Sequence, residues 1–352
     1  MAKIICGIQQ IGIGVPDVVA GFDWYRKTFD MDIPVFDDAG TAALMLPYTD
    51  NKPHERRAIL SINMQGGGGF EIWQYTSRTP QPANFDIQLG DLGTTVAKIK
   101  AKSARAAYVA LKIRKVNVIS EIMKNPAGVP HFFVKDPFDN IFEIVEDNFW
   151  YTDRKTAMTG GPIGVMIGVS DIEKSKEFYS QLLGYDTVVY QQEGVFEDLK
   201  AINGGDKKFK RALLTHSEQR KGPFSEMFGT TYIELVEAVD YTPRKIFENR
   251  LWGDLGYIHL CFDIIDMQSL KEECEKLGHP FTVDSAEKFD MGAAAGHFSY
   301  IEDPDGTLIE FVETFKIPIL KKVGLFLDLT KRDRTKALPK FMVKSLGMNR
   351  VK

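Results

Sequence analysis

IGIGVPDVVAGFDWYRKTFDMD (residues 11–32) returns further along the chain as VMIGVSDIEKSKEFYSQLLGYD (165–186). Each copy opens with a short apolar strand. Each then sets an aspartate, Asp17 or Asp171, where its carboxylate can accept the free N–H groups of a helix start. Tyr25 and Tyr179 follow at the same distance, inside an amphipathic helical pattern. A second pair matches as well: HFFVKDPFDNIFEIVED (131–147) and HFSYIEDPDGTLIEFVET (297–314). Both read as strand, Asp-Pro turn, strand, with Glu143 or Glu310 after an apolar pair. His131 and His297 stand at matching places before these turns, which points to a shared structural job. The chain is thus two similar halves, 1–152 and 160–314, followed by an extension, 315–352.

Each half divides again. GFEIWQY (69–75) and TYIELVE (231–237) are strands with a central glutamate, Glu71 and Glu234, and close the first quarters. The second quarters open with TTVAKIKAKSARAAYVALK (94–112) and GYIHLCFDIIDMQSLKEECEKLG (256–278), each a strand running into a helix. The pattern predicts an α+β fold of four βαβββ modules, with mixed sheets that carry helices on one face. GGGG (66–69) reads as a mobile hairpin connection, and 284–297 as a segment able to cover a cavity. No Lys-Ser/Thr follows the glycines, so they do not form a phosphate loop.

The bulk properties narrow the partners. With 44% hydrophobic and 26% charged residues, the 352-residue chain can build a large core. A net charge of −4 gives no pull toward nucleic acid, and no apolar run reaches membrane-spanning length. The start reads as a strand rather than a signal peptide. Cys6, Cys261 and Cys274 have no framework spacing and are expected as reduced thiols of a cytoplasmic protein. The expected partner is a small molecule, with no nucleic acid, no membrane, and a homodimer left open. The extension holds eleven Lys/Arg against two Asp; its +9, set against −4 overall, leaves −13 on the rest of the chain. It is expected to pack on that acidic body or on a neighbouring subunit.

Strand alternation picks out four polar side chains. Ile258, Leu260 and Phe262 should face a helix, which turns His259 to the other side. By the same rule Gln10, Glu71 and Glu310 point away from the helix-packed faces of their strands.

The modules resemble those of the vicinal oxygen chelate superfamily, which includes glyoxalase I, extradiol dioxygenases, methylmalonyl-CoA epimerase and bleomycin-resistance proteins. The likeness covers about 1–314 and rests on the strand–Asp–helix openings and the Asp-Pro hairpins ending in glutamate. It implies paired modules whose sheets curve around a cavity, with metal ligands on first and last strands. The first-strand ligand lies seven residues before the helix-start residue. Here that rule selects Gln10 and His259, and in the other two modules Gly164 and about Val96, which offer no ligand. The last-strand positions are Glu71, Glu143, Glu234 and Glu310.

Pairing within halves would group Gln10 with Glu71 and Glu143, and Glu234 with His259 and Glu310. Pairing across halves would join Gln10, Glu71, His259 and Glu310 in one site and leave Glu143 and Glu234 in a metal-poor one. The crosswise set is favoured, because it is the ligand set of one branch of glyoxalase I. It implies a divalent metal (Zn, Ni, Co, Mn or Fe) and a lyase or isomerase that works through an enediolate. Glu310 or Glu71 would move the proton. An Fe(II) extradiol-type dioxygenase, which usually wants two histidines and one carboxylate, is one alternative. A non-catalytic binding protein of the resistance type is the other.

Overall fold

The computed structural model describes residues 3–286, 289–290, 295–320 and 324–351. Four helix starts are capped by side chains, two of them at the aspartates the repeat predicts. Asp17 accepts the N–H groups of Val19 and Ala20, and Asp171 those of Glu173 and Lys174. Ser103 accepts from Ala106, and Asp266 from Ser269. Each capped helix follows a strand and defines one module.

Module one runs β1 (Ile4–Gly14), α1 (Val18–Phe29), β2 (Ile33–Thr41), β3 (Glu55–Ile62) and β4 (Gly69–Tyr75). Module two runs β5 (Gly93–Ala101), α2 (Ala104–Ile113), the short β6 (Asn117–Val118) and β7 (Met123–Lys124), β8 (Pro130–Lys135) and β9 (Ile141–Glu146). Module three runs β10 (Thr159–Val169), α3 (Ile172–Leu183), β11 (Thr187–Gly194), β12 (Phe209–Thr215), the single turn α4 (Ser225–Phe228) and β13 (Tyr232–Ala238). Module four runs β14 (Gly256–Ile265), α5 (Met267–Lys276), β15 (Val283–Asp284), β16 (Phe289–Asp290), β17 (Ala295–Glu302) and β18 (Leu308–Leu320). The extension adds β19 (Leu325–Asp328) and α6 (Lys340–Ser345).

The strands form two sheets. The first has the order β15-β17-β18-β14-β1-β4-β3-β2, with β16 beside β17 and β19 beside β18. The second has the order β11-β12-β13-β10-β5-β9-β8-β6, with β7 beside β8. Module one therefore joins module four, and module two joins module three. Pairing is crosswise, and each sheet takes one module from each half.

One continuous apolar cluster gathers the buried faces of the helices and the strand faces beneath them, from Ile11 and Ile13 to Phe142, Val165, Leu260 and Phe311. The repeated tyrosines cross between modules. The Tyr25 hydroxyl donates to Asp136 Oδ2 at 2.6 Å and the Tyr179 hydroxyl to Asp303 Oδ2 at 2.9 Å. Each holds the aspartate of the Asp-Pro turn in the other module of its own half.

The glycine run departs from the expectation of a mobile connection. Residues 66–69 are buried. Gly67 N–H donates to Met227 O and Gly68 N–H to Pro162 O, both at 2.8 Å. A Cβ on Gly67 or Gly161 would meet opposing backbone at 2.7 or 2.4 Å. The glycines are there because two backbones from different halves touch at this point. The segment 284–297 lies partly outside the described residues.

The extension packs on the body. Ile317, Leu329, Leu338, Val343 and Leu346 are buried with Ile33, Ile62, Met64, Tyr151 and Phe224. Arg350 pairs with Asp32 at 2.8 Å and Arg334 with Glu313 at 2.5 Å. Burying a side chain of this kind contributes about 1.5–3 kcal/mol, and the two ion pairs join partly exposed arginines to buried carboxylates. Among the described residues, no helix is long and apolar enough to cross a membrane.

Candidate metal centre

The middle of the first sheet sets the centre. β1 runs antiparallel to β14 and parallel to β4, and β14 runs parallel to β18. In that register Glu71, Gly12 and His259 stand side by side across three strands, and Gln10, Cys261 and Glu310 across the next row. The four predicted side chains converge on the face away from the helices.

His259 Nε2 lies 3.2 Å from Glu71 Oε2 and 3.1 Å from Glu310 Oε2. Gln10 Nε2 donates to the same two oxygens, at 3.0 and 3.3 Å. All four side chains are buried. One nitrogen or oxygen each from Glu71, His259 and Glu310 falls within 4.8 Å of the others, which makes them a group able to hold a metal ion.

Two details test the fit. His259 Nε2 is close to both carboxylates but poorly angled for a hydrogen bond to either, and Gln10 Oε1 has no partner at all. The amide's O and N are near-isosteric, so a half-turn would present Oε1 to the carboxylate side as a ligand. Two like charges buried together also call for a cation. In the protein alone, His259 supplies it. Burial opposes its protonation, but the Glu310 and Glu71 carboxylates outweigh that and raise its pKa to about 10. Burial likewise opposes ionisation of Glu310, and the imidazole holds its pKa below the usual value. An ion bound by neutral imidazole, amide oxygen and two carboxylates satisfies all these groups, and the donor set suits a hard or borderline divalent metal.

Tyr300 was not singled out by the sequence reading. It lies opposite Glu310 in the β17–β18 hairpin, and its hydroxyl is 3.3 Å from His259 Nδ1. It thereby fixes the ring so that Nε2 faces the carboxylates. Counting back across the Asp-Pro turn from Glu310 would have found it. The strand faces need one correction. A bulge in β14, where Ile258 is the extra residue opposite Gly12 and Ile13, lets Tyr257 turn to the helix side, and Ile258 packs instead with Trp73, Trp252 and Tyr300.

Comparison with known proteins bears on the fold. The sequence profile of the glyoxalase/bleomycin resistance protein/dioxygenase superfamily matches residues 163–311. Over that stretch the chain carries a segment similar to this superfamily. A likeness of fold to solved structures extends over both halves. Glyoxalase I from Zea mays superposes with a TM-score of 0.53 at 15% identity, covering 89% of this chain and 92% of that one. A mutant of the maize enzyme gives 0.56 at 16% identity, covering 89% and 92%. A candidate dioxygenase from Bacillus subtilis gives 0.54 at 16% identity, covering 89% and 86%. At these identities the likeness is one of fold. No curated protein matches the sequence.

The second pair of modules repeats this arrangement of strands, so the second sheet has an equivalent position, and its content is different. Glu143 and Glu234 correspond to Glu310 and Glu71, while Gly164 faces the place of Gln10 and Val96 that of His259. Lys98 fills the gap. Its ammonium lies 2.5 Å from Glu234 and also contacts Glu143. Arg211 pairs with Glu234 and, at 2.6 Å, with Asp198. His131 Nδ1 lies 2.8 Å from Glu143. The Tyr190 hydroxyl donates to Glu234 at 2.7 Å. Here a tethered ammonium stands where the first site would hold an ion.

His131 thus departs from the shared structural job expected with His297. His131 stands five residues before Asp136, and His297 six before Asp303. A one-residue offset reverses a strand face. His131 points into the buried cluster, while His297 is partly exposed and meets Asp284 at 2.6 Å.

A pH effect follows. Burial of His131 opposes its charge, but Glu143 and Asp198 outweigh burial and raise its pKa to about 9. A histidine raised on folding stabilises fully below about pH 6.5, and that contribution is lost as the pH rises through 9. The shift corresponds to a contribution on the order of 3 kcal/mol. We expect denaturation free energy to fall between pH 6.5 and 9 more steeply in the wild type than in His131→Gln. Equal slopes would show that His131 is not held charged.

Proposed function

We propose that the chain is a metal-dependent, glyoxalase I-like lyase or isomerase that acts on a small oxygenated substrate. The observation that carries this reading is the convergence of Gln10, Glu71, His259 and Glu310 on one buried point, with two carboxylates within 3.2 Å of one imidazole nitrogen. When bound there, a divalent ion supplies Lewis acidity for a substrate carbonyl. Glu71 and Glu310 both border the adjoining cavity. Glu310 is engaged by Gln10 and His259 and receives further support from Tyr300 and Cys261. Glu71 has only the first two of these partners. The less restrained carboxylate is the better proton carrier, so we assign Glu71 to move the proton between adjacent carbons and Glu310 to hold position.

The dioxygenase alternative lacks a specific support, because among the described residues His259 is the one imidazole in the group. The test is elemental analysis of the purified protein, followed by proton–deuterium exchange at the carbon next to a substrate carbonyl. About one divalent ion per chain, with exchange lost in Glu71→Gln while the ion is kept, supports the reading. A protein that takes up none of Zn²⁺, Ni²⁺, Co²⁺, Mn²⁺ or anaerobic Fe²⁺ overturns it and leaves a binding pocket.

A further inference from the structure

Beside the centre lies a cavity of about 120 Å³. Gln10, Glu71 and Glu310 form one end of it. Its walls include Val35, Phe36, Leu60 and Ile62 from the first sheet. Its roof comes from elsewhere: Phe224, Met227 and Phe228 from module three, and Ile317 and Leu346 from the end of the chain. Two other polar residues, Gln9 and Thr314, border it. They are already engaged. Gln9 Nε2 donates to Asp263 at 3.1 Å and to Thr314 at 3.3 Å, and the Thr314 hydroxyl donates to Asp263 at 3.2 Å. Among the described residues, no lysine, arginine or histidine lines the chamber.

We infer that this site takes an uncharged, mainly apolar molecule of about one ring, with its oxygen atoms toward Glu71 and Glu310, and excludes anionic substrates. This deepens the proposed function and rests on it for the chemistry. Two carboxylates cancel the charge of a divalent ion. A further anion would leave an unpaired negative charge in an apolar chamber with no cation to receive it, and that desolvation is costly. A neutral ring loses no such hydration and gains apolar contact on every wall. The volume is on the order of the ~150 Å³ apolar voids that accept benzene. A glutathione adduct, with two carboxylates and a peptide body, fits neither the charge nor the size.

The test is calorimetric titration of the full chain, metal-free and metal-loaded, with 2-hydroxyacetophenone and with mandelate. Both probes carry a phenyl ring and oxygens on adjacent carbons, and they differ in charge. We expect the neutral probe to bind at least about tenfold tighter. Val312 is half-buried and borders the cavity, so Val312→Arg should erase or reverse that preference. Mandelate binding as tightly as 2-hydroxyacetophenone, or no binding of either at millimolar concentration, overturns the inference. Metal content is measured on the same samples. A protein that binds metal but prefers mandelate fails the inference alone. One that binds no metal yet prefers the neutral probe fails the proposed chemistry alone.

Discussion

His259→Ala protein is expected to carry no divalent metal, where the wild type carries about one ion per chain. The imidazole is the sole nitrogen ligand in the group, and its removal leaves Glu71 and Glu310 facing each other with only the Gln10 amide between them. Two unpaired buried carboxylates are also costly, on the order of 3–5 kcal/mol for a broken buried pair, so the variant should melt lower as well. A control is needed that disturbs the ring without deleting it. Gly12 supplies one, since a Cβ there would sit 2.5 Å from His259 Cε1. Gly12 needs no left-handed backbone, so Gly12→Ala acts chiefly by pushing the imidazole aside. Elemental analysis should find metal lost in both variants. Full metal content in His259→Ala would remove the centre from consideration.

The second large effect is expected in the second sheet. Lys98→Met should destabilise the protein by about 3–5 kcal/mol in chemical denaturation, because it strips the shared cation from two buried carboxylates. Glu143 would then rely on His131, and Glu234 on Arg211 and the Tyr190 hydroxyl. If the ammonium's role is electrostatic, neutralising its partner should offset part of the loss. Lys98→Met combined with Glu143→Gln should cost clearly less than the sum of the single changes. Additive costs would mean that the lysine matters for packing rather than charge.

Much of this protein is legible locally. The helix caps at Asp17, Ser103, Asp171 and Asp266 need only a few neighbouring residues, and so does each Asp-Pro hairpin. Repetition of these pieces reveals four modules, and alternation along single strands marks Gln10, Glu71, His259 and Glu310. What failed was counting where one residue was inserted. A bulge beside Gly12 exchanged the faces of Tyr257 and Ile258, and one extra residue before Asp303 separated His297 from His131. A period of two has no tolerance for an offset of one.

The sequence by itself determined the modules and the side chains that could serve as ligands, because caps, turns and alternation are short-range. Only the tertiary structure decided that module one lies against module four, which brings Gln10 to Glu310 across 300 residues of chain. It alone placed Lys98 between Glu143 and Glu234, buried four glycines at a crossing of the two halves, and roofed the cavity with Phe224 and Leu346. These contacts depend on which sheet edges and apolar faces meet, and that choice is made by burial summed over the whole molecule, leaving no mark at any one position.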